Sequence, residues 1–150
     1  MICLLAAYPL FLVVKFNGYL DFTGRYGIEQ ILARGTHPNN WVLMIDGDSG
    51  TTWGVTEPHL PSEAIVFRFR KARPITRLGF TNTSDVPSAP IKVFGSPDGG
   101  AWTEFTGKWT EKNGGQSLRI GEGMVLRFIR FDYAADHAGL WPITEVWFDE

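Results

Sequence analysis

Apolar and polar residues alternate with a period of two along much of the chain. Ile65, Phe67 and Phe69 fall on one side of a strand, and Val66, Arg68 and Arg70 on the other. That period is the mark of a strand with one buried face. Thr76, Leu78 and Phe80 alternate in the same way with Ile75, Arg77 and Gly79, and Ile91, Val93 and Gly95 with Lys92, Phe94 and Ser96. The run Met124 to Tyr133 is apolar on both sides over part of its length, which predicts a central strand. Ile143 to Phe148, opened by Pro142, predicts a last strand. Only Ile28 to Arg34 reads as a helical turn or two, held short by Gly27 and Gly35.

The connections carry turn chemistry. Asp46-Gly47-Asp48, Pro97-Asp98-Gly99-Gly100 and Asn113-Gly114-Gly115 supply residues that tolerate positive φ. Strand signals separated by turns at intervals of about 8–12 residues predict an all-β fold, an antiparallel sandwich or barrel. The 150 residues suit one domain with one core. No linker interrupts residues 28–150, which are expected to form that domain.

Residues 1–27 are expected to form a separate N-terminal extension. Met1 to Val14 is almost wholly apolar, yet shorter than the roughly 20 residues that cross a bilayer. It lacks the charged start and clean cleavage site of a signal peptide. A signal-like segment and a buried strand packed on the sandwich both stay open.

Charge narrows the partners. Fourteen basic residues against sixteen acidic ones leave a net charge of −2, which argues against nucleic acid as a partner. Arg68, Arg70, Lys71 and Arg73 cluster as the outward face of a strand and its following turn. The single cysteine, Cys3, excludes an internal disulfide. A membrane surface as partner has no further support in the sequence.

No catalytic constellation is present. Cys3 has no basic neighbour, G-x-S-x-G does not occur, and the histidines at 37, 59 and 137 lack metal-ligand spacing. No phosphate-cradling glycine loop leads into a helix. The expectation is a binding module and not an enzyme.

Two stretches carry most of the information: Asp46-Gly47-Asp48-Ser49-Gly50-Thr51-Thr52-Trp53 and Gly95-Ser96-Pro97-Asp98-Gly99-Gly100-Ala101-Trp102. With Thr144-Glu145-Val146 in the last strand, they resemble the discoidin superfamily, which includes the coagulation-factor type C domains and the family-32 carbohydrate-binding modules. The resemblance covers about residues 28–150, with the three elements in the family's order. It implies a jelly-roll β-sandwich of the galactose-binding-domain type.

The residues themselves permit a cation in the first turn. Asp46 and Asp48, two apart beside a glycine, can curl both carboxylates toward one point, and Thr51 adds a hydroxyl and a carbonyl. Hard oxygens in a curled loop are what Ca²⁺ selects. An Asx-turn, with the carboxylates accepting backbone N–H groups, is the alternative. An EF-hand-like loop from Asp46 to Glu57 is ruled out, because Thr51 stands where such a loop needs glycine. The resemblance implies that Glu145 and the carbonyls of Leu43 and Thr144 complete a structural Ca²⁺ site. It also implies that Trp53 and Trp102 pack their turns onto the core.

For a ligand, three loops offer residues suited to sugar hydroxyls and ring faces: His37, Asn39 and Trp41; Asn82 and Asp85; His137 and Trp141. Trp141 is the best candidate for an exposed aromatic platform, whereas Trp41 can equally start a buried strand. The resemblance implies that these loops meet at one rim, where family-32 modules hold galactose-type sugars. Sugar-binding members often carry an arginine after the strand corresponding to Ile75–Thr81; Asn82-Thr83-Ser84-Asp85 has none, so galactose itself is not implied. The expected partner is a glycan, met outside the cell or at its surface. The alternative is an extracellular protein, with the same scaffold serving as an assembly or adhesion subunit.

Overall fold

In a computed structural model of the chain, the described residues are 26–33, 41–54, 64–82, 91–112, 115–122, 124–134, 136 and 139–150, without the side chains of Trp41 and Lys112. Among the described residues, nine strands form two antiparallel sheets. They are β1 (Ile28–Ala33), β2 (Ala64–Pro74), β3 (Arg77–Thr81), β4 (Ile91–Ser96), β5 (Thr103–Glu104), β6 (Thr110–Lys112), β7 (Gly115–Arg119), β8 (Val125–Tyr133) and β9 (Glu145–Asp149). One sheet has the order β1-β2-β8-β4-β5 and the other β6-β7-β3-β9. The only helical element among the described residues is a 3-10 turn at Trp41–Met44.

The period-two pattern becomes the core. Ile65, Phe67 and Phe69 of β2 are buried, as are Leu78 and Phe80 of β3 and Val146 and Phe148 of β9. Phe148 meets Phe67 and Phe69 edge-on, at centroid distances of 5.3 and 5.2 Å. Each such ring contributes about 1.5–3 kcal/mol through burial, before packing is counted. Val93, Ile129 and Phe131 close the same core from β4 and β8.

The expected helical turn at Ile28–Arg34 is instead strand β1, with Arg34 outside the described residues. Its register on β2 shifts between Ile28 and Gln30, where Ile28 pairs Phe69 and Gln30 pairs Arg68. A bulge inserts one residue and flips the parity of the strand. Ile28 and Ile31 therefore both point inward, three apart, and that spacing imitates a helix.

The hairpin after β4 is built by side chains. Ser96 Oγ accepts the Gly99 N–H at 2.8 Å, and Asp98 Oδ1 accepts the Gly100 and Ala101 N–H groups at 2.8 and 3.3 Å. These donors, that of Gly100 foremost, hold the Asp98 carboxyl below the usual aspartate range. Gly99 takes φ 86°, which suits glycine. Trp53 is buried, in line with a packing role, and Trp102 is half-buried against Phe128.

Candidate ligand-binding rim

The register brings many strand ends to one end of the sandwich. In the larger sheet, Ala33 pairs Ile65, Ala64 pairs Asp132, and Tyr133 pairs Ile91. In the smaller sheet, Thr81 pairs both Gly115 and Glu145. The short link from Pro74 to Arg77 joins the opposite ends of the two sheets, so the Ala64 and Thr81 ends lie together. Ala33, Ala64, Thr81, Ile91 and Tyr133, the strand ends on this side, are the described residues nearest the expected sugar-binding segments.

The Asp46 turn meets the start of β9 at this rim. Glu145 Oε1 accepts the Gly47 N–H at 2.5 Å, tying residues 98 positions apart. Within the turn, Asp46 Oδ1 accepts the Asp48 N–H at 2.9 Å and Asp46 Oδ2 the Thr51 hydroxyl at 2.8 Å. Asp48 Oδ1 accepts the Gly50 N–H at 2.8 Å, and the Thr51 hydroxyl also reaches the Asp48 carbonyl. This is Asx-turn geometry, with each carboxylate accepting from its own loop.

The remaining members of the expected calcium set flank this turn. Leu43 lies in the 3-10 turn and is half-buried. Thr144 is buried, donates its N–H to the Thr81 carbonyl at 2.9 Å, and shares a 2.6 Å hydroxyl contact with Thr81. Thr81 is a rim residue that sequence reasoning missed, and its outward parity in β3 was the available signal. Among the described residues, no three His, Cys, Asp or Glu side chains gather closely enough to hold a metal ion by themselves. Asp46, Asp48 and Thr51 in the turn and Glu145 at the start of β9 offer hard oxygens, the donor type Ca²⁺ prefers.

The expected sugar contacts divide. His37, Asn39, Asp85 and His137 lie outside the described residues, as does the side chain of Trp41. Asn82 sits half-buried immediately after β3. Trp141 corrects its expectation: the indole is fully buried and is no exposed platform. It packs edge-on against Trp53 at 6.2 Å and tilted on Tyr133 at 5.8 Å, because the bridge between Trp53 and Ile143 draws this segment inward. Leu140 and Asp136 are exposed in its place.

Burial also shapes the charge at this end of β8. It pushes the Asp132 carboxyl above the usual aspartate range, although the Arg130 guanidinium lies 2.8 Å away and Lys92 is near. It raises Tyr133 as well, so that phenol stays neutral at physiological pH. No helix among the described residues is long and apolar enough to cross a membrane.

No family model and no curated protein matches the chain. Solved structures do. CpGH89CBM32-6 of Clostridium perfringens aligns with a TM-score of 0.61 over 86% of this chain and 98% of its own, at 20% identity. CpGH89CBM32-5 of the same organism, solved with GalNAc-β-1,3-galactose, gives 0.64 over 81% of this chain and 94% of its own, at 14% identity. The CBM32 of AlyQ, solved with 4,5-unsaturated mannuronic acid, gives 0.64 over 82% and 95%, at 19% identity. The chain therefore has the β-sandwich fold of the family-32 carbohydrate-binding modules, as its motifs implied.

Proposed function

We propose that this chain is a non-catalytic module that binds a cell-surface or polysaccharide glycan through the loops at the rim, outside the cell or at its surface. One observation supports the reading: the fold is that of family-32 modules, three of which were solved with a sugar bound. Fold alone hosts many activities, so the assignment rests on the polar residues of the expected sugar-binding segments. In this reading His37, Asn39, Asn82, Asp85 and His137 hydrogen-bond hydroxyls, and Trp41 supplies a ring face. Trp141 supports the rim from beneath.

Affinity gels containing neutral polysaccharides, such as galactan, mannan or xylan, test the proposal. The protein is expected to be retarded by at least one polymer. A His37→Ala/His137→Ala variant is expected to bind that polymer about tenfold more weakly, a loss of about 1.4 kcal/mol. Unretarded migration in every polymer would sink it.

Calcium is the second part of the proposal. Asp46, Asp48, Thr51 and Glu145, with the carbonyls of Leu43 and Thr144, would hold the ion; when bound, it supplies positive charge that ties the turn to β9. An ion that binds only the folded state stabilises it by about 2.7 kcal/mol at a hundredfold excess over Kd. A chelator is then expected to lower the melting temperature by roughly 5–10 °C. Glu145→Gln keeps the acceptor for Gly47 but removes the charge, and should largely erase that difference. Identical melting curves with calcium and with chelator would eliminate the ion.

A further inference from the structure

Away from the rim, the solvent side of the larger sheet carries an arginine–aromatic band. Arg68 pairs Phe128 across the strands, and Arg130 pairs Phe94. The Arg130 guanidinium lies 4.3 Å from the Phe94 centroid and 4.8 Å from that of Trp102. Arg68 and Arg127 flank the Phe128 ring, each at 5.9 Å. Trp102 meets Phe128 edge-on at 6.3 Å, which joins the two groups into one band. It spans β2, β8 and β4, about 10 Å at the usual strand spacing.

The band is open and positively biased. The Arg68, Arg127 and Arg130 side chains are 37%, 38% and 28% exposed, and the three rings are half-buried. Glu29 is shared between two arginines, at 3.1 Å from Arg68 and 3.7 Å from Arg127. Asp132 serves Arg130. Lys92 pairs Asp132 on the same face and Glu104 pairs Phe94 at its β5 edge, so Arg68, Arg127, Arg130 and Lys92 stand there against Glu29, Asp132 and Glu104, a small positive excess in a chain that is net negative. Packing alone needs aliphatic stems here. It does not call for guanidinium groups concentrated on one face and alternating with rings.

We infer that this face is a second binding surface, for an acidic polysaccharide of the uronate type. The inference rests on the glycan reading of the module and adds a site distinct from the rim. A uronate ring offers a C–H face to Phe94, Trp102 or Phe128 and a carboxylate to the arginines, whose planar forks match it bidentately. A flat sheet surface suits the side of an extended polymer. The Arg127–Glu29 pair, 38% and 43% exposed, is the kind that exchanges readily for another carboxylate.

Affinity gels with polygalacturonate, neutral galactan and single-stranded DNA, run at low and high salt, test the proposal. Polygalacturonate is expected to retard the wild type in a salt-sensitive way. Arg68→Gln/Arg127→Gln, and separately Arg130→Gln, should weaken that retardation at least tenfold while leaving the melting temperature and any galactan binding unchanged. The His37→Ala/His137→Ala rim variant should keep its polygalacturonate binding. If the rim variant loses polygalacturonate and the arginine variants keep it, the second surface falls and the glycan reading stands. If no polymer binds, both fall. Equal arginine-dependent retardation by DNA would make the face a general polyanion surface and overturn the uronate assignment.

Discussion

Trp141→Ala is expected to destabilise the fold by about 3–5 kcal/mol, the cost of removing a large aromatic side chain from a core that collapses only in part. Urea unfolding would read this as a lower midpoint with little change in slope. In a domain of this size it corresponds to a melting temperature lower by about 10 °C or more. The indole is fully buried between Trp53 and Tyr133, and Pro142 and Ile143 beside it are buried as well. Trp141→Phe should recover much of the loss by restoring one edge-on contact. An alanine variant as stable as the wild type would mean that the ring lies on the surface after all.

The sequence made the alternating strands legible because each buries one face. β2, β3, β4 and β8 lie where the pattern places them. It misread β1 because a bulge altered the parity on which the pattern depends, leaving Ile28 and Ile31 three apart and both inward. The short strands β5 and β6 have two and three residues, too few for alternation to register. β9 begins at Glu145 and not at Ile143, because Ile143 is drawn into a bridge with Trp53. Such a contact is set by tertiary packing and leaves no local trace.

The candidate site was legible to a different degree. Asp-Gly-Asp in a turn and a glutamate in the last strand are chemical signals, and the contact of Glu145 with the Gly47 N–H brings them together. Exposure is not a chemical signal. A tryptophan before a proline in a polar stretch reads as a platform, yet whether it faces solvent depends on Trp53, some ninety residues earlier. The arginine–aromatic band was hidden for the same reason. Arg68, Arg127, Arg130 and Phe128 come from two strands far apart in sequence, and only the register of β2 on β8 places them side by side. Read along one strand, Arg68 and Arg70 look like an ordinary solvated face.

Gly79 is closely approached by both a side chain and backbone in the smaller sheet. A Cβ built there would lie 2.2 Å from Trp147 Cζ2 and 2.5 Å from the Gln116 carbonyl oxygen. Gly79 pairs Trp147 on β9 and Ser117 on β7, so it stands in the central strand with neighbours on both sides. Gly79→Ala is therefore expected to destabilise by about 2–3 kcal/mol through overpacking, despite the gain in strand propensity. The two obstacles can be separated. Trp147→Ala in the same chain removes the indole but not the carbonyl, which belongs to the hydrogen-bonded ladder and cannot swing away. The double variant should then remain less stable than Trp147→Ala alone, in urea unfolding followed by far-UV circular dichroism. Full recovery in the double variant would place the whole constraint in the indole; a Gly79→Ala variant of wild-type stability would mean that β3 and β7 stand farther apart than their register implies.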